Sequence, residues 1–155
     1  MKTINNLRGL LVLVFLGIMS FSCNQEETMI FDTDGRVYFT TADYSYSFLD
    51  YPGKQVDTIK LPVQIFGKTA DVDRLVKIEL VTDDTSKVNT APEELYSLIG
   101  GVVPANEQLG SVSLELRYAD ELKDTVYAFY VRIVPNDDFK DVTYNSRIVE
   151  VLFTA

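Results

Sequence analysis

The sequence contains no histidine, no tryptophan and only one cysteine among its 155 residues. Histidine is the commonest general base and metal ligand near neutral pH, so its absence removes many catalytic and metal-binding designs. A single thiol excludes an intrachain disulfide, a thiolate zinc cluster and a cysteine–histidine pair. We therefore expect a protein that is not an enzyme and that uses no cofactor.

Basic residues are few, with 14 Lys and Arg against 23 Asp and Glu and a net charge of −9 at pH 7. Nucleic acids and anionic lipids both bind proteins through Lys and Arg, so this balance opposes both kinds of partner. Any membrane attachment must then come from something other than charge. Hydrophobic residues make up 46%, including nine Tyr and nine Phe, so a packed core is expected rather than disorder.

Residues 1–22 have the layout of a secretory signal that ends just before the cysteine. Lys2 and Arg8 supply a positive start, and residues 10–19 (LLVLVFLGIM) supply an apolar stretch. This stretch is shorter than the roughly 20 apolar residues that span a bilayer. Such a layout is typical of bacterial lipoprotein signals, which are cut before a cysteine that then carries lipid. We therefore expect Cys23 to anchor the protein to a membrane through acyl chains.

The residues around the cysteine qualify this prediction in two ways. Phe21 stands where lipoprotein signals usually have Leu, Ala or a similar small apolar residue. The alternative is a buried N-terminal helix with a chance cysteine.

The next residues resemble the acidic export tag of surface-exposed Bacteroidota lipoproteins: Asn24, Gln25, Glu26 and Glu27. The resemblance implies an outer-membrane lipoprotein exposed at the cell surface, with a solvated tether on a periplasm-facing protein as the alternative.

From residue 36 onward, apolar and polar residues alternate, which is typical of β-strands with one buried face. The clearest segments are 57–66, 75–82, 111–117, 125–134 and 146–154, while 36–41 and 44–48 supply the first strand or two. Pro62 lies inside one segment and cannot donate a ladder hydrogen bond, so that strand is expected at an edge or with a bulge. The residues predicted to face inward are Ile59, Leu61, Val63, Ile65, Val76, Ile78, Leu80, Val112, Leu114, Leu116, Tyr127, Phe129, Val131, Ile133, Val149, Val151 and Phe153.

About seven such strands, separated by polar or Gly/Pro breaks, predict an all-β fold. Residues 92–99 (PEELYSLI) are the exception and are predicted to form one helical turn, followed by a Gly-Gly break. The expected fold is a single antiparallel β-sandwich of the Ig-like or Calx-β-like kind. The chain then divides into a lipoprotein signal peptide at 1–22, an acidic tether at 23–35 and a β-sandwich domain at 36–155.

Four short motifs extend through the predicted sandwich: GKTADVDR at 67–74, VPA at 103–105, LKDTVY at 122–127 and PNDDF at 135–139. With them, residues 23–155 resemble a group of Bacteroidota lipoproteins of unknown function. Members of that group are often encoded near glycan-uptake systems of the SusC/SusD type. The layout is also similar to Calx-β and Ig-like sandwiches. The resemblance implies the fold and a setting near outer-membrane uptake proteins, and it supplies no catalytic residues.

Tyrosines are the first candidates for ligand contacts, because sugar sites commonly use aromatic platforms. The candidates are Tyr44, Tyr46 and Tyr130, with Tyr51 and Tyr118 as further members. Tyrosine also favours β-strands for packing reasons alone, so these residues have an equally simple structural explanation. The absence of tryptophan counts modestly against a dedicated glycan receptor.

Acidic loops are the second candidates, since Ca²⁺ takes six to eight oxygen ligands and Calx-β modules use comparable loops. The weak calcium candidates are Asp71, Asp73, Asp137 and Asp138. No D-x-D-x-D-G loop is present, and acids in surface turns usually only solvate the loop. The sequence alone therefore gives no strong metal prediction.

The function that requires the fewest special residues is that of a non-catalytic accessory or interaction module, carried by a surface-anchored lipoprotein. Its expected setting is a glycan-uptake system, where strand edges recruit partners by β-augmentation. Two alternatives remain open at this point, a surface glycan-binding protein and a calcium-dependent adhesin-like module. The expected partners are the membrane, through the lipid anchor, and outer-membrane uptake proteins or glycan, with no nucleic acid.

Overall fold

The computed structural model of the protein describes residues 35–142 and 147–155. The predicted signal peptide, the lipidation site at Cys23 and the export signal lie outside these residues. Within the described part of the chain, no helix is long and apolar enough to cross a membrane. The strands are β1 Arg36–Phe39, β2 Asp43–Ser47, β3 Val56–Phe66, β4 Arg74–Leu80, β5 Tyr96–Val103, β6 Leu109–Arg117, β7 Tyr127–Val134 and β8 Ile148–Thr154. Short 3₁₀ helices cover Phe48–Asp50, Glu93–Leu95 and Asp120–Lys123.

The strands form one continuous sheet in the order β1-β3-β6-β5-β4-β7-β8-β2. Adjacent strands in this sheet are antiparallel except at one end, where β2 runs parallel to β8. We call β1-β3-β6-β5 with the first half of β4 the first half-sheet, and the remainder the second half-sheet. The chain passes between the half-sheets five times, namely from β1 to β2, from β2 to β3, within β4, from β4 to β5 and from β6 to β7.

β4 is the strand that joins the two half-sheets. Its first part, Arg74 to Val76, pairs with β5, and its second part, Lys77 to Leu80, pairs with β7. Changing partners midway folds the sheet over on itself, so that the two halves face each other as a sandwich. This arrangement confirms the predicted Ig-like or Calx-β-like β-sandwich.

The core lies between the half-sheets and is aromatic at its centre. Tyr96 of β5 stacks on Phe129 of β7 with ring centroids 4.2 Å apart, and Phe129 meets Phe153 edge-on at 5.9 Å. The residues predicted to face inward are confirmed as core, with Ile78, Leu80 and Tyr127 only half-buried. Fully burying one such side chain contributes roughly 1.5–3 kcal/mol, so the alternation pattern supplies the main stabilising term.

Pro62 lies where β1 stops pairing with β3. β1 contacts β3 only from Val63 to Phe66, and Thr40 N–H donates to the Pro62 carbonyl at 3.2 Å. Among the described residues, positions 56–62 pair with β6 alone. β3 lies between β1 and β6, so the prediction of an edge strand is wrong for β3 as a whole. Pro62 stands where the pairing with β1 ends, and the outer side of residues 56–61 has no paired strand in the described part of the chain.

The structure differs from the sequence prediction at residues 92–103. Only Glu93–Leu95 forms a helical turn, and Tyr96–Val103 is strand β5, which raises the strand number from about seven to eight. The two glycines stand inside this strand rather than ending it. Gly100 has a φ of +97° next to a register shift between β5 and β6. A Cβ on Gly101 would collide with the Ser111 carbonyl oxygen of β6, so glycine permits the close strand approach.

Candidate functional site

The tyrosines of β2 point mainly into the protein. Tyr44, Tyr46 and Phe48 are two residues apart and share one face, as successive side chains in a strand alternate. Tyr46 is only 7% exposed, and its ring packs edge-on against Phe48 at 5.0 Å. Tyr51 stacks on the other side at 5.5 Å with the ring planes 8° apart. Tyr46 is therefore enclosed, and Tyr44 is half-buried against the core.

A buried phenol and an ion pair fasten the loop after β2 to strand β3. Tyr46 O–H donates to Asp57 Oδ2 at 2.6 Å, and Lys54 Nζ donates to the same oxygen at 2.8 Å. These two hydrogen bonds, that of Lys54 foremost, hold the pKa of Asp57 below its ordinary value. Burial, followed by the hydrogen bond to Asp57, raises the pKa of Tyr46. The loop therefore keeps an ionised carboxylate and a neutral phenol at neutral pH.

The same loop, residues 48–55, has a defined backbone path. Ser47 Oγ accepts from Leu49 N–H at 3.2 Å and caps the 3₁₀ helix Phe48–Asp50. Gly53 then takes a φ of +88°, which favours glycine, and Lys54 N–H closes the turn on the Tyr51 carbonyl at 3.1 Å. Lys54 Nζ also lies 4.8 Å from the centre of the Tyr51 ring.

This loop forms one side of a cavity of about 260 Å³, which we call the end pocket. Its wall is aromatic, because Phe48 and Tyr118 meet edge-on at 5.8 Å. The residues that define it here are Phe48, Leu49, Lys54, Gln55, Tyr118 and Lys123. They come from two parts of the chain, namely the loop after β2 and the segment that follows β6, and Ala155 after β8 completes the lining.

A second lysine–aspartate pair lies beside the end pocket. Lys123 Nζ donates to Asp120 Oδ1 at 2.8 Å, and Tyr118 O–H donates to the same oxygen at 3.1 Å. These two donors, Lys123 foremost, lower the pKa of Asp120. Each lysine that lines the pocket is thus oriented by its own aspartate. The arrangement suits an uncharged polar ligand with one apolar face.

Tyr130 lies in a different place, on the outer face of β7. Its O–H donates to Glu150 Oε1 at 2.5 Å, and Lys87 Nζ lies 4.9 Å from its ring centre. Asn89 accepts from Tyr130 N–H at 2.8 Å and donates to the Val81 carbonyl at 2.6 Å. We call Lys87, Asn89, Tyr130 and Glu150 the Tyr130 corner. The predicted tyrosines therefore divide, with Tyr46, Tyr51 and Tyr118 near the end pocket and Tyr130 in its own network.

Two of the four acidic calcium candidates accept hydrogen bonds from backbone N–H groups. Asp73 Oδ1 accepts from Ala105 N–H at 2.8 Å, and Asp138 Oδ2 accepts from Leu75 N–H at 2.7 Å. Across residues 35–142 and 147–155, no group of three or more acidic, histidine or cysteine side chains is placed to hold a metal ion. Calcium binding at Asp71, Asp73, Asp137 and Asp138 stays a prediction. A thermal melt with EDTA and then millimolar calcium tests it, and an unchanged midpoint would remove it.

A second cavity, of about 280 Å³, opens where β4 leaves β5 for β7, and we call it the fork cleft. It is lined by Leu75, Val76, Lys77, Ile78, Leu98, Ile99, Gly100, Gly101 and Val134. Its walls are aliphatic side chains and strand backbone with a single lysine. Leu75 and Ile99 are 60% and 59% exposed there.

Two half-sheets joined by a strand that changes partner define the chain as a Calx-β-like β-sandwich. The apo-form Calx CBD1 domain is similar with a TM-score of 0.55 and 14% identity, over 79% of this chain and 97% of that domain. The chain belongs to the family described as Domain of unknown function (DUF4843), whose profile matches residues 21–155. No curated protein matches the chain.

Two Bacteroides proteins contain a similar sandwich. A Bacteroides ovatus protein to which carbohydrate binding is ascribed has a TM-score of 0.57 and 13% identity over 77% of this chain. EndoBT-3987 of Bacteroides thetaiotaomicron, solved with a Man5GlcNAc product, has a TM-score of 0.52 and 15% identity over 76% of this chain. This chain spans 36% and 30% of their respective lengths. At such identities the likeness shows the fold alone.

Proposed function

We propose that the protein is a non-catalytic accessory or interaction module, lipid-anchored at the outer membrane and associated with glycan uptake. One observation carries the proposal. The sandwich is similar to parts of two longer Bacteroides proteins, one with ascribed carbohydrate binding and one solved with a glycan product.

The carboxylates beside the end pocket support a non-catalytic role. Glycoside hydrolysis needs a carboxylic acid with a raised pKa that can protonate the leaving group. The pKa values of Asp57 and Asp120 are both lowered, by hydrogen bonds from Lys54 and Lys123 respectively. Both carboxylates are therefore ionised at neutral pH and poorly suited as general acids.

The proposed anchor is Cys23, and Asn24, Gln25, Glu26 and Glu27 are the proposed export signal. A short tether would then hold the sandwich at the cell surface. Incorporation of labelled lipid into the wild-type chain, with Cys23→Ala as the control, tests the anchor. We expect label in the wild type and none in the variant, and equal labelling of both would overturn this part of the proposal.

Strand β3 supplies a surface for partners. Its outer side over residues 56–61 pairs with no other described strand, and Val56 is 49% exposed there. An open strand edge recruits an extended segment of another protein by adding a strand to the sheet. Outer-membrane uptake proteins are the proposed partners.

A pull-down of the full chain from detergent-solubilised outer membrane tests this association. We expect uptake proteins to co-purify with the chain. A lipoprotein that elutes alone, from membranes in which the uptake proteins are present and soluble in the same detergent, would contradict the accessory role. Direct glycan binding is the second candidate function, and the aromatic wall of the end pocket favours it.

A further inference from the structure

We infer that the end pocket is a binding site for one neutral sugar unit. The ligand class rests on the proposed association with glycans, and the location rests on the pocket itself. An apolar face of the sugar ring would pack on Tyr118 and Leu49, while its oxygens would accept hydrogen bonds from Lys54 and Lys123. Phe48 is only 4% exposed and supports Tyr118 from the inner side of the wall. Of the tyrosines that the sequence suggested for sugar contacts, Tyr118 lines this site, whereas its lysines were not among the candidates.

The size of the pocket sets the size of the ligand. Its volume of about 260 Å³ is below the roughly 300 Å³ at which pockets for drug-sized molecules begin. A single sugar ring, at the end of a chain or protruding from it, fits such a space better than an oligosaccharide segment. Leu49 is 73% exposed at the mouth, so the apolar wall extends to the entrance.

The two lysines of the pocket have N–H donors available for a polar ligand. Each ammonium group carries three N–H donors and donates one to its aspartate, Asp57 for Lys54 and Asp120 for Lys123. The other donors remain for sugar hydroxyl or ring oxygens. Because the aspartates already orient the lysines, less side-chain freedom is lost on binding. Gln55, exposed beside Lys54, adds an amide that both donates and accepts.

Charge at the pocket favours a neutral sugar over an acidic one. Each lysine is paired with a carboxylate at 2.8 Å, so the rim carries little excess positive charge. The whole chain has a net charge of −9, which repels anions at longer range. A uronate or sulfated sugar would therefore gain little from the lysines. Hydroxyl oxygens need only the free N–H donors.

The other two surfaces fit a sugar less well. In the Tyr130 corner, Lys87 covers one face of the Tyr130 ring, and the Tyr130 hydroxyl already donates its hydrogen bond to Glu150. Neither the ring face nor the hydroxyl is therefore free for a sugar. The residues that line the fork cleft include no aromatic ring and one lysine, Lys77. The end pocket thus combines, within one cavity, an aromatic wall and two lysines that aspartates hold in place.

Saturation-transfer difference NMR on the full chain in detergent tests the inference. The probes are methyl glycosides of glucose, galactose, mannose and N-acetylglucosamine, with methyl galacturonate as the acidic comparison. We expect at least one neutral glycoside to bind, more tightly than the acidic one. Lys54→Met and Lys123→Met should each weaken that binding about tenfold, since each removes a charged hydrogen-bond donor. Lys87→Met removes a comparable lysine outside the pocket and should leave the affinity unchanged.

Tyr118→Ala should also abolish binding, and its thermal melt shows whether it folds. If it does not fold, the two lysine variants carry the test, because their side chains are exposed. Equal affinity in wild type and pocket variants would overturn the site while leaving glycan association intact. Tighter binding of the galacturonate would overturn the neutral ligand class. No signal from any probe would overturn the inference, and the pull-down would still decide the accessory role separately.

Discussion

The loop beside the end pocket and the Tyr130 corner are built from the same parts. Each has a lysine ammonium above a tyrosine ring, at 4.8 Å for Lys54 over Tyr51 and 4.9 Å for Lys87 over Tyr130. Each also has a phenol bonded to a carboxylate, at 2.6 Å for Tyr46 and 2.5 Å for Tyr130. The end pocket is an open concavity of about 260 Å³, whereas the Tyr130 corner is hydrogen-bonded on the outer face of a sheet.

The difference comes from the segments that surround each cluster. At the end pocket, the loop after β2 and the 3₁₀ helix Asp120–Lys123 approach from two sides and leave a concave space. At the Tyr130 corner, Asn89 bonds directly to the backbone of β7. Residue types alone therefore do not distinguish a binding site from a structural contact. The distinction depends on whether the segments around the residues leave a concave space between them.

The largest expected difference between the two regions is in stability. Tyr46→Ala should lower the free energy of unfolding by about 3–5 kcal/mol, because it empties an almost fully buried aromatic site. Tyr130→Ala, at a half-buried position, should cost about 1 kcal/mol. Urea unfolding followed by circular dichroism measures both. Similar losses for the two variants would mean that the regions are equally buried in solution.

Asn89→Ala should loosen the Tyr130 corner alone. The change removes the hydrogen bonds to Tyr130 N–H and the Val81 carbonyl, at about 1 kcal/mol each. We expect a total loss of about 2 kcal/mol with no change in glycoside affinity. Urea unfolding and the NMR titration give the two values. A loss of binding in this variant would mean that the corner, rather than the end pocket, contacts the ligand.

Acid should weaken the hydrogen bonds of Tyr46 and Lys54 to the Asp57 carboxylate, which hold the loop of the end pocket on β3. The pKa of Asp57 in the folded protein lies below its value in the unfolded chain, which is about 3.9. Its stabilising effect is therefore fully present above about pH 4 and is lost as the pH falls through the folded pKa. Asp57→Asn should cost about 1 kcal/mol at pH 7 and progressively less at lower pH. If wild type and variant differed in their free energy of unfolding by the same amount from pH 7 to pH 2, the lowered pKa of Asp57 would be contradicted.

The smallest effects concern the two exposed lysines. Lys54→Met and Lys87→Met should each change the free energy of unfolding by less than about 1 kcal/mol, as surface charge pairs contribute little. Their melting temperatures should therefore nearly coincide while their glycoside affinities differ. A marked destabilisation by Lys54→Met alone would assign Lys54 a mainly structural role.

The fold could be predicted where alternation is unbroken. Ile59, Leu61, Val63 and Ile65 occupy every second position of one segment, and all four are buried. Strand β5 could not be predicted in the same way, because its glycines resemble a break. Glycine is required there by the close approach of β6, which only the three-dimensional structure reveals.

The site was less predictable than the fold. The spacing of Tyr44, Tyr46 and Phe48 indicates a shared face, but it does not say whether that face is buried, and Tyr46 was a candidate for ligand contact until the structure showed it 7% exposed. That Tyr118 and Lys54 line one pocket could not be predicted, because the residues are far apart in the chain. Their segments come together because β3 and β6 are neighbours, and Tyr118 N–H donates to the Gln55 carbonyl at 2.8 Å.

Mapping the ligand on the protein is the most direct test of the account. A ¹⁵N-labelled chain is titrated with the methyl glycoside that binds most tightly, and backbone amide shifts are followed. We predict shifts at Gly53, Gln55 and Lys123, which line the end pocket, and none at Asn89 or Tyr130. Shifts confined to Asn89 and Tyr130, or no shifts with any of the glycosides, would contradict it.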